Sequence, residues 1–116
     1  MAIPTGAGTE VLKRVTTTGD HDTAQVALTV GSEHICTILS IVVCEQGSAS
    51  EIITFSMTDA DNSNREIFLL QSQALGALET FVWSDKFVLD SADTLKIKTG
   101  SASNIDCLVS YIDQHF

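Results

Sequence analysis

Residues 50–58 read SEIITFSMT, with Ile53, Phe55 and Met57 separated by polar side chains. Successive side chains of a β-strand point to opposite faces of the sheet, so this alternation predicts a strand with one buried face. The same period recurs in residues 80–83 (TFVW), 93–99 (DTLKIKT) and 104–112 (NIDCLVSYI). The sequence therefore predicts an all-β fold.

The strand-like segments are separated by clusters of turn-forming residues, such as 19–22 (GDHD) and 59–64 (DADNSN). About eight short strands spaced by about 8–12 residues are typical of a single antiparallel β-sandwich of the jelly-roll type. The segment from Gln71 to Leu78 is ambiguous and could hold a short helical turn. Since no repeat or linker interrupts the pattern, we predict one sandwich domain over residues 10–116.

Residues 34–44, HICTILSIVVC, are the most apolar segment of the chain. A buried helix would account for this hydrophobicity equally well, but the density of β-branched side chains favours a central strand. Strict alternation assigns its apolar side chains to two faces: Ile35, Leu39, Ile41 and Val43 on one, and Cys36, Ile38 and Val42 on the other. A sandwich has one interior, so we expect another subunit to cover one face of a strand, which predicts a homo-oligomer.

The first nine residues, MAIPTGAGT, hold the only proline and two of the seven glycines. A segment so poor in apolar side chains cannot build a core, so we predict an N-terminal arm over residues 1–9. Ile3, Pro4 and Thr5 are its predicted partner-binding residues, with attachment by strand addition to a neighbouring sheet. The run Gly6-Ala7-Gly8 lacks the preceding strand and the third glycine of a phosphate-binding turn, and is interpreted as arm.

Fifteen acidic residues against six basic ones give a net charge of −9. Nucleic-acid binding depends on Lys and Arg neutralising phosphates, and anionic membranes attract basic segments, so neither partner is expected. No apolar run approaches the roughly 20 residues needed to cross a bilayer. The opening residues lack the charged start and apolar core of a signal peptide, so we expect synthesis in a cytoplasm.

Cys36, Cys44 and Cys107 are odd in number, which excludes a complete set of intramolecular disulfides. Along one extended strand Cys36 and Cys44 would lie about 26 Å apart, far beyond bridging distance. All three cysteines lie in apolar segments where a thiolate is disfavoured. We therefore predict buried thiols without catalytic function.

Residues 59–64 begin like a calcium-binding loop, with oxygen-bearing side chains at alternate positions. The sixth position of the loop is Asn64 instead of glycine, and the twelfth is Leu70 instead of a bidentate glutamate. A hairpin turn without metal is therefore the favoured interpretation.

His21 lies between Asp20 and Asp22, and a carboxylate beside an imidazole can orient a base or bind a metal. Adjacent residues usually point apart, and His34 and His115 are not spaced to join His21 as ligands. A cupin-like metal centre needs a close histidine pair, which we expect this chain to lack. We therefore predict a solvated turn at His21 and no metal or other cofactor.

No serine lies in a Gly-x-Ser-x-Gly setting, and no other catalytic motif is present, so we do not expect an enzyme. Trp83 and Tyr111 could form a platform on which a sugar ring stacks. Both lie at inward positions of their alternating segments, which favours the core instead.

Residues 87–98 (FVLDSADTLKIK), followed by 104–113 (NIDCLVSYID), resemble the C-terminal half of small β-sandwich structural proteins of tailed bacteriophages. In those proteins a strand, an Asp-Thr-Leu turn and strand, and a closing Asn-x-Asp strand occur in this order. Residues 34–50 and the opening from Ile3 to Arg14 are similar to marine-phage members. The likeness covers most of the chain and includes no catalytic residues.

The resemblance implies a virion component, and our first hypothesis is a capsid decoration (cement) protein on the head exterior, acting as a homotrimer that binds the major capsid protein. A tail, adaptor or fibre-associated subunit is the alternative within the same class. A carbohydrate-binding module reading host glycans through Trp83 or Tyr111 is the alternative from a different class.

Overall fold

The structure, a computed structural model, describes residues 9–116 and consists of strands joined by short turns. The strands are β1 (Thr9–Gly19), β2 (Gln25–Thr29), β3 (His34–Glu45), β4 (Glu51–Asp59), β5 (Arg65–Leu75), β6 (Thr80–Trp83), β7 (Phe87–Leu89), β8 (Thr94–Thr99) and β9 (Ile105–His115). One three-residue 3-10 helix, η1 (Ala60–Asn62), lies between β4 and β5. Within residues 9–116 no helix is long and apolar enough to cross a membrane.

The nine strands form two antiparallel sheets that pack as a sandwich. One sheet has the order β1-β9-β3-β6, with β7 also paired to β3, and the other has the order β2-β8-β4-β5. This alternation between sheets is the strand order of a jelly roll. The predicted all-β jelly-roll sandwich is confirmed.

The structure has one strand more than the roughly eight expected, because one edge strand is interrupted. β6 pairs with the second half of β3 at Ile41–Cys44, and β7 pairs with its first half at Cys36–Ile38. Residues 84–86 separate the two, so β6 and β7 together occupy the position of a single strand.

The core lies between the sheets and takes side chains from both. Phe55 is fully buried and contacts the rings of Phe81 and Trp83, with centroids 6.2 Å away in each pair. Ile53 is also fully buried, and Met57 packs against the core, as the alternation in residues 50–58 predicts. The other fully buried aliphatic side chains are Ile38, Ile41, Val43, Leu75, Leu89, Leu95, Ile97, Ile105 and Val109.

The predicted faces of β3 are wrong, because one extra residue interrupts its alternation. Pairing with β9 shifts register between Ile38, opposite Tyr111, and Ser40, opposite Ser110, so Leu39 is an unpaired bulge residue. A bulge reverses the inward and outward positions beyond it. The buried face therefore consists of Cys36 and Ile38 before the bulge and Ile41 and Val43 after it. Ile35, Leu39 and Val42 are half-buried and lie on the opposite face.

The ambiguous segment 71–78 continues a strand and contains no helical turn. β5 extends to Leu75, which is fully buried, and only then does the chain turn, at residues 76–79. Two register shifts between β4 and β5, around Phe55, break the period-two pattern that would have identified this strand.

We expect deletion of Leu39 to prevent folding. Without the bulge residue, either Cys36 and Ile38 or Ile41 and Val43 would face outward, and each fully buried aliphatic side chain lost from a core costs about 2–5 kcal/mol. Circular dichroism during thermal unfolding measures this effect. Leu39→Ala keeps the extra residue and is the matched control, for which we expect a fall in Tm of only a few degrees. A deletion variant that unfolds at the same temperature as Leu39→Ala would contradict this account of β3.

Candidate functional site

The turn at Asp59–Asn64, weighed as a calcium loop, is closed by its own side chains. The Asp59 carboxylate caps η1 by accepting from the backbone N–H of Asp61 at 3.2 Å. Asp93 accepts from the N–H of Ala60 at 2.8 Å and from that of Asp90 at 2.9 Å, which ties η1 to the β7–β8 turn. These carboxylates act as hydrogen-bond acceptors for the backbone, and the predicted turn is confirmed.

His21 lies in a turn, but the prediction that it is solvated is wrong because it is fully buried. Its ring nitrogens lie 2.9 Å from Thr17 Oγ1 and 2.9 Å from the carbonyl oxygen of Gly19. Its backbone N–H donates to Ser103 Oγ at 3.0 Å, which ties the β1–β2 turn to the distant β8–β9 loop. Both nitrogens therefore have partners within the fold, and His21 is a structural residue.

The neighbouring Asp20 carboxylate joins the same two turns. Backbone N–H groups of Asp22 and Ser103 donate to it at 2.9 and 3.1 Å. These two hydrogen bonds stabilise the charged form and lower the pKa of Asp20. Asp20 and His21 together fasten the β1–β2 turn to the β8–β9 loop.

All three cysteines are free thiols. Burial raises the pKa of Cys36 to about 12 and that of Cys107 to about 11, so both stay protonated at neutral pH. Cys44 is half-buried at the end of β3. The prediction of buried thiols is confirmed for Cys36 and Cys107 and is wrong for Cys44, which occupies an outward position.

Trp83 and Tyr111 belong to the core side of the sandwich, as predicted. Tyr111 is buried, whereas Trp83 packs edge-on against Phe55 and donates from Nε1 to the carbonyl oxygen of Asp85 at 2.8 Å. The two rings do not form an exposed platform for a sugar. The structure does not describe the predicted partner-binding residues Ile3, Pro4 and Thr5, nor the run Gly6-Ala7-Gly8. Thr9, the last residue of the predicted arm, begins β1.

A cluster of ionisable side chains, not anticipated from the sequence, lies on the inward side of β1, β3 and β9 at one end of the sandwich. We call Lys13, His34, Asp113 and His115 the terminal cluster. One carboxylate oxygen of Asp113 accepts a hydrogen bond from Lys13 Nζ at 2.8 Å. The other oxygen lies 2.7 Å from His34 Nδ1. The rings of His34 and His115 stack with centroids 4.5 Å apart.

Strand register brings these residues together, since His34 is paired with His115 and Lys13 lies opposite Tyr111, two positions from Asp113. The expectation that the chain lacks a close histidine pair is therefore wrong in the folded protein. The rings stack instead of converging on a point, and within residues 9–116 no group of three or more His, Cys, Asp and Glu side chains is arranged to hold a metal.

Two hydrogen bonds dominate the electrostatics of the terminal cluster. Burial acts to raise the pKa of Asp113, but hydrogen bonds from Lys13 and His34 outweigh it, and the pKa is lowered. Hydrogen bonding to Asp113 in turn raises the pKa of Lys13. A carboxylate held between two donors is a poor base and a poor nucleophile, and through these hydrogen bonds Asp113 joins β1, β3 and β9.

The surface depressions are shallow and open to solvent. One of about 460 Å³ is lined by Ile52, Leu75, Gly100 and neighbouring residues. The carboxylate at its rim belongs to Glu51, which accepts from the N–H groups of Gly100 and Ser101, both at 3.1 Å. Through these hydrogen bonds the Glu51 carboxylate holds the β8–β9 loop in place.

No protein-family model and no curated protein sequence matches the chain. Solved structures with a similar fold do exist. A chain from the VP2 subviral particle of infectious bursal disease virus is 6% identical, with a TM-score of 0.61, over 95% of this chain and 33% of that one. A chain from the acid-stable capsid structure of Helicobacter pylori bacteriophage KHP30 is 6% identical, with a TM-score of 0.56, over 92% of each chain.

The T13 viral particle of infectious bursal disease virus gives a TM-score of 0.57 at 6% identity, over 91% of this chain and 31% of that one. The chain thus spans about a third of the length of the bursal disease virus chains it matches. At these identities the likeness shows the fold, which this chain shares with viral capsid proteins.

We expect Asp113→Asn to lower Tm by a few degrees at about pH 7, because Lys13 and His34 lose a charged acceptor. The folded-state pKa of Asp113 is depressed, so its contribution is complete above the ordinary aspartate pKa of 3.8 and is lost as pH falls through the depressed value. The difference in Tm between variant and parent should therefore shrink steadily as the pH falls below 3.8. Scanning fluorimetry across pH measures both Tm values.

Asp106→Asn is the matched control for this prediction, because Asp106 is an exposed carboxylate on the same strand. Its substitution should leave Tm nearly unchanged at every pH. An Asp113→Asn penalty of equal size at neutral and acid pH would show that the charge on Asp113 contributes nothing.

Proposed function

We propose that the protein is a non-enzymatic structural component of a bacteriophage virion. The observation that carries the proposal is the match to the phage KHP30 capsid structure, in which 92% of both chains is covered, so the two chains have about the same length and fold. Double-sheet jelly rolls are a recurrent fold of viral capsid domains. The sequence resemblance to phage sandwich proteins supports the same class independently.

The state of the ionisable side chains supports a non-enzymatic function. Several polar side chains already have hydrogen-bond partners within the fold, namely His21, Glu51, Asp93 and Asp113. Burial keeps the thiols of Cys36 and Cys107 protonated. Catalytic groups usually face a cleft with their reacting atoms unoccupied. These side chains instead hold turns and strands in place.

Within the virion we propose a decoration (cement) protein on the outside of the head, where it bridges neighbouring major capsid subunits. A short chain with a strongly acidic balance suits an exposed outer layer, since it has no affinity for the packaged nucleic acid. The N-terminal residues 1–9 are its proposed attachment arm, with Ile3, Pro4 and Thr5 contacting the major capsid protein. The resemblance implies that the protein associates with copies of itself as a homotrimer. Such an oligomer would present several attachment arms to the capsid at once, which strengthens binding.

We expect the protein in purified heads. Mass spectrometry of virions separated into heads and tails should detect it in the head fraction at a stoichiometry comparable to that of the major capsid protein. Detection in the tail fraction alone would replace the decoration function with a tail, adaptor or fibre-associated one. Absence from both fractions would overturn the virion proposal.

We expect deletion of residues 1–8 to abolish attachment to heads while leaving the Tm of the isolated protein within about 2 °C of the parent, because β1 begins at Thr9 and remains complete. Sedimentation of the variant with heads that lack the protein measures attachment, and thermal unfolding measures the fold. Ala7→Ser, which keeps the length of the arm and its proposed contact residues Ile3, Pro4 and Thr5, is the control and should still bind. A deletion variant that binds heads as well as the parent would show that the arm is not the attachment element.

A further inference from the structure

The outer face of the sheet that contains β1, β9, β3, β6 and β7 carries two apolar rows, Leu12-Ile112-Val88 and Leu108-Val42-Val82, on either side of a polar row, Arg14-Ser110-Ser40. Strand register places one set of large aliphatic side chains on this side, away from the core. We call it the apolar face, and its members are Leu12, Ile35, Leu39, Val42, Val82, Val88, Leu108 and Ile112. Three of them are more than half exposed: Leu12 at 73%, and Val82 and Val88 at 56% each.

The outer face of the other sheet is different. Its outward positions on β2, β4, β5 and β8 carry mostly hydroxyl, amide and charged side chains, with Val26, Ile52 and Phe68 as exposed hydrophobics. Glu66, for example, accepts from Ser56 Oγ at 2.9 Å on this face. An antiparallel sheet with one solvated face normally carries polar side chains there. One sheet of the sandwich follows that rule and the other does not.

Charge is also sparse on the apolar face. The outward-pointing charged side chains on the strands of this sheet are Glu10, Arg14 and Asp106. Glu10 and Asp106 lie at opposite ends of the face, and Arg14 lies on the edge strand. In a chain of net charge −9, this is a surface on which two copies can approach without bringing many acidic groups together.

The size of the apolar face suits a stable interface. The sheet is four strands wide, since β6 and β7 share one position, and β1 and β9 are each 11 residues long. At about 4.8 Å per strand and about 3.4 Å per residue it measures about 19 by 37 Å, or about 700 Å². A standard protein interface buries about 800 Å² per partner, so the whole outer face of the sheet, with its polar positions included, approaches that size.

We propose that the apolar face packs against the same face of a second copy of this chain, sheet on sheet across a two-fold axis. A depression of about 440 Å³ lined by Leu12, Lys13, Arg14, Leu39 and Ser110 receives side chains of the partner. The bulge at Leu39 helps to line this depression, so the irregularity that completes the core also shapes the interface. A two-fold dimer differs from the trimer that the resemblance implies. The molecular mass measured in solution distinguishes a dimer from a trimer.

The pairing does not depend on the proposed function in the virion. A protein that pairs through this face but is absent from heads would keep this inference and lose the decoration proposal. A monomeric protein found on heads would do the reverse.

Light scattering after size-exclusion chromatography tests the pairing. The parent protein at micromolar concentration should have twice the chain mass, and the double variant Leu12→Glu/Val82→Glu should weaken association by about tenfold or more, giving monomer. Both side chains are more than half exposed, so the fold should survive, which circular dichroism checks. If the double variant does not fold, the single variant Val88→Glu tests the same face.

Phe68→Glu is the matched control, because Phe68 is 51% exposed on the outer face of the other sheet and the substitution adds the same charge. It should remain a dimer. A monomeric or trimeric parent would overturn the proposal, as would a control that dissociates as readily as the double variant.

Discussion

The rest of the structure depends on the pairing of β3 with β9, two long strands that run side by side from His34–His115 to Glu45–Ile105. β3 carries β6 and β7 on its other side, and β9 carries β1, so this pair holds one whole sheet together. The extra residue at Leu39 lets both halves of β3 direct their aliphatic side chains into one core. A regular strand with the same sequence would divide them between core and solvent.

Polar side chains stabilise the sandwich where its sheets end. Asp113 joins β1, β3 and β9 at one end through Lys13 and His34, while Glu51 and Asp20 bind backbone N–H groups of the β8–β9 loop. Loops leave main-chain donors without sheet partners, and a carboxylate can accept from two or three of them at once. This use of acidic residues accounts for part of the negative charge without invoking a ligand.

Several ionisable side chains, among them His21, Glu51 and Asp113, have their partners within the fold. The two outer faces of the sandwich differ in polarity, and the less polar one carries a broad set of outward aliphatic side chains, which suits association with another protein surface. A shared fold with viral capsid proteins agrees with such a function, because subunits of a shell act through their contacts. The inferences about surface pairing and about the virion rest on different observations and are independent.

Local chemistry along the sequence determined the fold class. The strands at residues 50–58 and 104–112 and the turn at 59–64 were predicted correctly. Their patterns depend only on residues a few positions apart in the sequence. The buried positions of Tyr111 and Cys107 followed from the alternation in residues 104–112, and the burial of Cys36 followed from the apolar character of residues 34–44.

Tertiary structure decided what depends on register between distant strands. The bulge at Leu39 is set by the opposing strand β9, so strict counting along β3 assigned its faces wrongly. His21 is tied by a hydrogen bond to Ser103, 82 residues away, and His34 meets His115 only through strand pairing. Such contacts have no local signature, since one inserted residue reverses every side chain beyond it and only the paired strand determines where the insertion lies.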